Sequence, residues 1–280
     1  MSSILMASGH FSEYHAESLI MSVCMPKYGN LGNDTAKHLF IDDWIKSRQG
    51  IRSGLTADEF SKIINNANGN YFLIHKGLME AICLKQDKYC WSDSTPANIY
   101  FLEQILTAFP KCKIINMIRD GRDVAMSLKK LGWVSMPFKT DNNVLSLWWA
   151  ALQWAECASI GLKYSNGKYK DRIINIHYEN LIENTRSELE KISIFLDLDL
   201  VKLLDQTGNI KLKESNTAYG DKVTGLSSAS IGRWKTELTE KEVIAIEKAG
   251  FKELNRCSYH PEFAEKPTIP ELIMILMVRS

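Results

Sequence analysis

Arg119, Asp120, Arg122, Asp123 and Ser127 are the residues whose types and spacing most plainly offer chemistry. A guanidinium matches a phosphate bidentately and a hydroxyl adds one neutral donor, so an Arg and a Ser brought together make an anion site. These residues lie in the stretch Lys113 to Leu131, KIINMIRDGRDVAMSLKKL. Ile114, Ile115, Met117 and Ile118 form a near-continuous apolar run bounded by Pro110 and by Arg119-Asp120, the pattern of a strand covered on both faces. After a turn at Gly121, residues Val124, Ala125, Leu128 and Leu131 fall at helical spacing. The stretch therefore reads as strand, tight turn, helix. Arg119 then sits at the carboxyl end of a strand, where open α/β sheets bind ligands. Ser127 follows about two helical turns later and reaches the same anion only if the helix packs back along the turn. The competing reading of the four charged residues is a solvated ion-pair cluster.

The run RDGRDVAMS resembles the second nucleotide-binding motif of the sulfotransferases that use 3'-phosphoadenosine 5'-phosphosulfate. That pattern is an apolar strand, Arg-Asp, Pro or Gly, Arg-Asp, Val, and a Ser on the following helix. The resemblance implies that Arg119 and Ser127 hold the nucleotide's 3'-phosphate. It extends, with gaps, from the first residues to about Gly250. A second signature of the family is a flexible segment before Gly-x-Trp that closes over the 3'-phosphate, often with Arg-Lys-Gly upstream. Gly232, Arg233 and Trp234 match it, while Ser227, Ser228 and Ala229 stand where Arg-Lys-Gly would be. Hydroxyls and backbone N–H groups still bind phosphate there, with less charge. Tyr178, in YENLIENTRSELEKISIFLDL, matches a family position near the nucleotide, where a phenol can stack or hydrogen-bond.

The resemblance also implies an N-terminal strand and an Arg-Ser-Gly-Thr-Thr type loop around the 5'-phosphosulfate, followed by a helix. Here MSSILMASG reads as that helix alone, so the expectation is a chain lacking the first strand and its loop, with a vacated slot beside Lys113 to Ile118. Gly29 to Lys37 lacks a preceding strand, and Gly161 to Tyr169 has the wrong loop length and Tyr in place of a metal-binding hydroxyl. Several members, notably those acting on protein tyrosine, have a Glu after the first helix as catalytic base; the matching position is Glu17 in HAES. A hydroxyl acceptor loses its proton as it attacks sulfur, and a carboxylate in reach can take it. Glu13, His10 and His15 are nearby rivals, the histidines reading as surface residues. In YCWSDSTP, which resembles the family's Trp-Gly-Asp-Lys-Thr-Pro, Ser94 replaces a Lys, so a hydroxyl stands where the family has a full charge.

Composition bounds the alternatives. With 280 residues, 45% of them hydrophobic, the chain suits one large α/β domain, and no linker favours two. Lys plus Arg number 34 against 33 Asp plus Glu, so there is no basic field for nucleic acid and any anion site is local. The six cysteines have no CxxC spacing and read as reduced core residues of a cytosolic protein. No secretory signal and no apolar run of about 18 residues is present.

The remaining stretches read as scaffold. Pro26 to Gly54 is Gly- and Asn-rich and reads as a weakly ordered, acceptor-facing region. Thr56 with Glu59, Thr185 with Glu188, and Thr239 with Glu242 read as capping boxes, the last opening a helix from Glu240 to Ala249. Tyr71 to Leu84 and Asp141 to Tyr164 read as helices, the second with Trp148 and Trp149 either in the core or lining an acceptor pocket. Tyr89 to Pro96 reads as a short strand and polar turn before a helix from Ala97 to Phe109, and Arg172 to His177 as another strand.

The fold expected is a single α/β domain over 1–280, a P-loop-type parallel sheet flanked by helices and missing its first strand. The implied activity is transfer of a sulfuryl group from 3'-phosphoadenosine 5'-phosphosulfate to a hydroxyl or amine of a small-molecule or peptide acceptor; nothing in the motifs calls for a metal. The alternatives are a non-catalytic nucleotide-binding remnant that keeps only the 3'-phosphate half of the site, and, less well matched, a nucleotide kinase, for which the Walker Lys and metal-binding hydroxyl are missing.

Overall fold

The computed structural model describes residues 1–136, 138–205 and 228–268. The chain divides into two units, Met1–Cys112 with the segment from Asp199, and Lys113–Leu198 with the segment from Glu214.

In the first unit α1 (Ser2–Ala7) buries Ile4, Leu5 and Met6. Helices α2 (Asp34–Lys46) and α3 (Arg48–Ser53) start at Asn33 and Ser47, whose side-chain oxygens accept the N–H of Thr35 and Gly50. The expected box at Thr56 and Glu59 opens α4 (Ala57–Asn66), and Asn70 caps α5 (Tyr71–Lys85). Each such cap contributes about 1 kcal/mol by satisfying an otherwise orphaned donor. Phe40, Trp44, Phe60, Ile64, Ile74, Leu78 and Met79 are the core. Trp44 stacks on Phe60 at 4.0 Å between ring centroids, and Phe40 meets Phe60 edge-on at 5.3 Å. The stretch from Pro26 to Gly54 is thus mostly helical, contrary to its weakly ordered reading. Burying Phe40 and Trp44 at roughly 2–3 kcal/mol each outweighs the ~1 kcal/mol cost of a glycine in a helix.

Tyr89 to Pro96 also departs from expectation. Cys90 makes a single parallel bridge to Phe11, and a 3-10 turn, Pro96–Phe101, precedes α6 (Leu102–Ala108). Asp93 Oδ1 accepts the Thr95 N–H at 3.0 Å and the Thr95 hydroxyl at 2.7 Å, so a side chain takes the donor that a ladder would use.

In the second unit β1 (Ile114–Ile118) and β2 (Ile173–His177) pair in parallel, with Ile114 opposite Ile173 and Ile118 opposite His177. Between them run α7 (Gly121–Leu131) and α8 (Asn143–Ser165). This is the expected α/β architecture, a parallel sheet carried by helices. Among the described residues β1 is paired on one edge, with β2. Ile114 to Met117 are only half-buried and Ile118 alone is buried, so β1 is not covered on both faces as its composition suggested. Each strand of a two-stranded sheet is an edge strand. Asn116 Nδ2 donates to Asn175 Oδ1 at 2.8 Å across the pair, and Asn175 Nδ2 donates to Ser165 Oγ at 2.9 Å. A Cβ at Gly161 would lie 2.5 Å from the Asn116 amide, so glycine is what lets α8 settle on these asparagines.

Helices α9 (Tyr178–Glu183) and α10 (Thr185–Leu196) follow β2, α11 (Leu200–Asp205) falls in the first unit, and α12 (Glu240–Arg256) packs on α8. Thr185 and Glu188 form no capping box. The chain is already helical before them, so the Thr185 hydroxyl donates back to the carbonyls of Leu181 and Ile182, and Glu188 pairs with Lys191 at 2.5 Å. The box at Thr239 and Glu242 is present, and α12 runs beyond Ala249 because Leu254 continues its buried stripe. Ala125, Leu147, Ala150, Ala151, Leu152, Ile246 and Ala249 form one core cluster, with Trp148 and Trp149 packed over it. Both tryptophans are half-buried and pack on the core. All six cysteines are free thiols, but only Cys24, Cys83 and Cys257 are buried; Cys112 and Cys157 are half-buried and Cys90 is exposed, so the six are not all core residues as expected.

Candidate functional site

Two of the anion-binding candidates, Arg119 and Tyr178, meet at the carboxyl end of β1. Asp120 caps α7, its side chain accepting the Arg122 N–H at 2.9 Å. Asp120, Arg122 and Asp123 are 8%, 4% and 0% exposed, which removes the solvated-cluster reading. Arg122 donates to both Asp120 oxygens and, at 2.8 Å, to Glu247, and lies 3.9 Å over the Trp234 ring. Burial works against its charge, but the two carboxylates raise its proton affinity above the ordinary guanidinium value. Glu247 also accepts the N–H of Glu262, Phe263 and Ala264. Asp123 accepts the N–H of Gly232 at 2.7 Å and of Trp234 at 3.1 Å. Burial pushes the Asp123 carboxyl up from its usual range, against those two hydrogen bonds. The second Arg-Asp of the motif is therefore internal structure that fastens the Gly232–Trp234 segment to α7.

Arg119 is placed differently. Its guanidinium donates to the Ser230 carbonyl and lies 5.1 Å over the Tyr178 ring. The Tyr178 hydroxyl and Ser230 Oγ are 2.8 Å apart. Arg119 Nε is buried and has no partner among the described residues. A buried orphan donor on a cation is costly unless an acceptor meets it, and a phosphate oxygen is an acceptor of the right charge. The residues present therefore fit an anion at this end of the strand.

The other candidates are more scattered. Ser127 is half-buried on α7, with no side-chain hydrogen bond among the described residues. Ser228 is exposed at the start of the 3-10 turn Ser228–Ser230. Gly232 takes φ +68°, the left-handed region that favours glycine. Arg233 pairs with Glu237 one turn along. Ser227 lies outside the described residues. Ser230 and Trp154 were missed by sequence reasoning. Ser230 sits one residue past the Ser-Ser-Ala tract, and nothing in its local pattern marks it.

In the first unit Glu17 lies in the loop after α1, half-buried, and is followed by the fully buried Ser18. Ser18 N–H donates to Thr95 Oγ1 at 2.9 Å and Ser18 Oγ to Asp93 Oδ2 at 2.6 Å. Asp93 also accepts from Asn98 at 3.0 Å and faces His75 Nε2 at 3.0 Å. Burial opposes ionisation of Asp93, but His75, Ser18 and Thr95 hold its carboxyl well below the usual range. Leu19, next along, takes φ +56°, strained for a side chain of that size, and opens a π-helical turn, Ile20–Cys24. Burial and then Asp93 raise the Glu17 carboxyl above its ordinary value, against Arg48. Of its rivals, Glu13 is exposed and lies 3.4 Å from His15. His10 and His15 are half-buried, not surface residues. Ser94 is exposed beside Asp93. Among the described residues no group of three or more His, Cys, Asp and Glu could hold a metal ion, and no helix is long and apolar enough to cross a membrane.

Residues 4–202 match the model of the sulfotransferase family. Two curated relatives come from Caenorhabditis elegans. A putative protein-tyrosine sulfotransferase is 25% identical over 158 residues, 56% of this chain and 53% of the relative. Protein-tyrosine sulfotransferase A is 24% identical over 160 residues, 55% of this chain and 38% of the relative. The chain thus spans about half or less of the length of these relatives. Among solved structures, the sulfotransferase domain from the Synechococcus PCC 7002 olefin synthase superposes with a TM-score of 0.53 at 17% identity, covering 88% of each chain. The sulfotransferase domain from the curacin biosynthetic pathway superposes at 0.52 with 16% identity, covering 95% of this chain and 85% of that one. The structural likeness concerns the fold, and the family match takes in β1, Arg119, Ser127 and Tyr178. By that match the chain belongs to the sulfotransferase family.

Proposed function

We propose that this chain transfers a sulfuryl group from 3'-phosphoadenosine 5'-phosphosulfate to a hydroxyl or amine, and that Arg119 binds the 3'-phosphate. The observation that carries this reading is the buried, unpartnered Nε of Arg119 at the carboxyl end of β1. Tyr178, Ser127, Ser227, Ser228, Gly232 and Arg233 are assigned to the same nucleotide on their motif positions. The co-substrate supplies the activated sulfuryl group. The acceptor oxygen forms the new bond to sulfur as the bond from sulfur to the nucleotide phosphate oxygen breaks, and adenosine 3',5'-bisphosphate leaves. Glu17 is the proposed base for the acceptor proton, since a carboxylate with raised proton affinity is suited to that transfer. Relatives named for protein tyrosine support a peptide phenol as the first acceptor to assay, beside small-molecule alcohols and amines.

The test is calorimetry with two nucleotides. Arg119→Ala removes a charge-assisted contact worth about 2–3 kcal/mol, so adenosine 3',5'-bisphosphate should bind roughly tenfold to a hundredfold more weakly. Adenosine 5'-monophosphate, which lacks the 3'-phosphate, should change little. Equal losses for the two ligands would remove the assignment.

A further inference from the structure

The peptide unit between Arg119 and Asp120 is held at both of its polar ends by side chains. Trp154 Nε1 donates to the Arg119 carbonyl at 3.1 Å, and Glu179 Oε1 accepts the Asp120 N–H at 3.0 Å. Each holder is itself fixed. The Tyr259 hydroxyl donates to Glu179 Oε2 at 2.5 Å and lies 3.1 Å from His177 Nδ1. Burial, and then Glu179, keep the Tyr259 phenol protonated and so a donor. Trp154 is slotted between two glycines. A Cβ at Gly121 would lie 2.5 Å from its ring, and one at Gly250 would lie 3.2 Å from it. Gly121 is thus the residue that lets the indole reach the Arg119 carbonyl.

A peptide plane with one anchored end can still rock about its neighbouring dihedrals, while one anchored at both ends cannot. Arg119 leaves the chain at this plane, and a bidentate guanidinium contact depends on its approach angle. We propose that Trp154, Glu179 and Tyr259 are positioning residues for the 3'-phosphate site, locking the Arg119–Asp120 peptide so that the guanidinium is presented to the anion before it binds. Tyr259 lies beyond the family-matched span of 4–202, so a segment outside the family core completes the site. The proposal rests on the assignment of Arg119 to the 3'-phosphate.

The experiment measures two quantities on the full chain. Binding of adenosine 3',5'-bisphosphate and of adenosine 5'-monophosphate is compared in Tyr259→Phe, Trp154→Phe, Glu179→Ala and Glu179→Gln, with Arg119→Ala as reference. Exchange of the Asp120 amide hydrogen is followed in the free proteins. Tyr259→Phe, Trp154→Phe and Glu179→Ala should each weaken the bisphosphate roughly three- to tenfold and leave the monophosphate unchanged. Glu179→Gln, which still accepts the Asp120 N–H, should restore near-normal binding. Asp120 exchange should quicken in Glu179→Ala and Tyr259→Phe. If Arg119→Ala is selective for the bisphosphate but the three variants weaken both ligands alike, or neither, the locking role is wrong and the residues are only structural. If Arg119→Ala is itself unselective, the site assignment fails and the proposal with it. Unchanged Asp120 exchange would overturn the lock whatever the ligand data.

Discussion

Asp123 Oδ2 accepts the backbone N–H of Gly232 at 2.7 Å, fastening the turn before Trp234 onto α7 from 109 residues away in sequence. Its other oxygen takes the Trp234 N–H at 3.1 Å, so one buried carboxylate satisfies two buried donors. Replacing it by alanine orphans both, at about 1–3 kcal/mol each. Asp123→Ala should therefore lower unfolding stability by roughly 2–6 kcal/mol in urea titration. Asp123→Asn should fall between, because an amide keeps one acceptor and turns a donor towards the second N–H. A loss within error of zero for Asp123→Ala would mean the segment is held by something else.

The Asp93 carboxyl is depressed on folding, so the sign of its pH effect is set. Its stabilising contribution is complete above the unfolded value of 3.8 and is lost as pH falls below that towards the folded value. The stability gap between the wild type and Asp93→Asn should be large at neutral pH and shrink steadily below about pH 4. Equilibrium denaturation at several pH values reads this directly. A gap that stays constant down to acid pH would show that the Asp93 carboxyl is not depressed on folding, and no gap at neutral pH would show that the neutral amide satisfies Ser18, Thr95 and His75 as well as the carboxylate does.

Glu17 shifts the other way. If it is the base, activity should fall on the acid side with an apparent pKa above the ordinary Glu value of 4.5, because the carboxyl must be ionised to accept a proton. Asp93→Asn should move that limb to lower pH by removing the neighbouring negative charge. Glu17→Gln should lower kcat about a hundredfold or more with nucleotide affinity unchanged. Full turnover in Glu17→Gln would pass the role to Glu13, His10 or His15.

Gly121 and Gly132 should respond to alanine for different reasons. At Gly121 the added Cβ meets the Trp154 ring at 2.5 Å, so Gly121→Ala should cost about 1–3 kcal/mol by overpacking. Gly132 has φ +69° with open space around the added atom, so Gly132→Ala should cost about 1–2 kcal/mol from backbone strain alone. Trp154→Phe should rescue Gly121→Ala in part and leave Gly132→Ala unchanged. Thermal unfolding of the wild type, the three single variants and the two double variants separates the two mechanisms.

Local order is legible in the sequence wherever periodicity and end signals agree. The strand at Ile114, the helix from Gly121 and the boxes at Thr56 and Thr239 all stand where their residues place them. The run RDGRDVAMS is legible too, as a resemblance to the family's motif, and the family match takes in that run. Thr185 with Glu188 has the same spelling as the two true boxes but forms none, since the helix Tyr178–Glu183 already precedes it and draws the threonine hydroxyl backwards. The Pro26 to Gly54 stretch departs from its weakly ordered reading because Phe40 and Trp44 are buried against Phe60, a residue outside the stretch.

The chain alone determined, then, the strand and the helix that flank Arg119. Only the tertiary structure decided what surrounds it: Ser230 under the guanidinium, Trp154 and Glu179 at the two ends of its peptide, Tyr259 behind them, and, in the other unit, His75 against Asp93. Periodicity specifies which face of an element is apolar, within about one turn of helix or two residues of strand. It carries no information on which distant face that one meets, and a hydrogen bond between residues 35 to 111 positions apart exists only once those faces have packed.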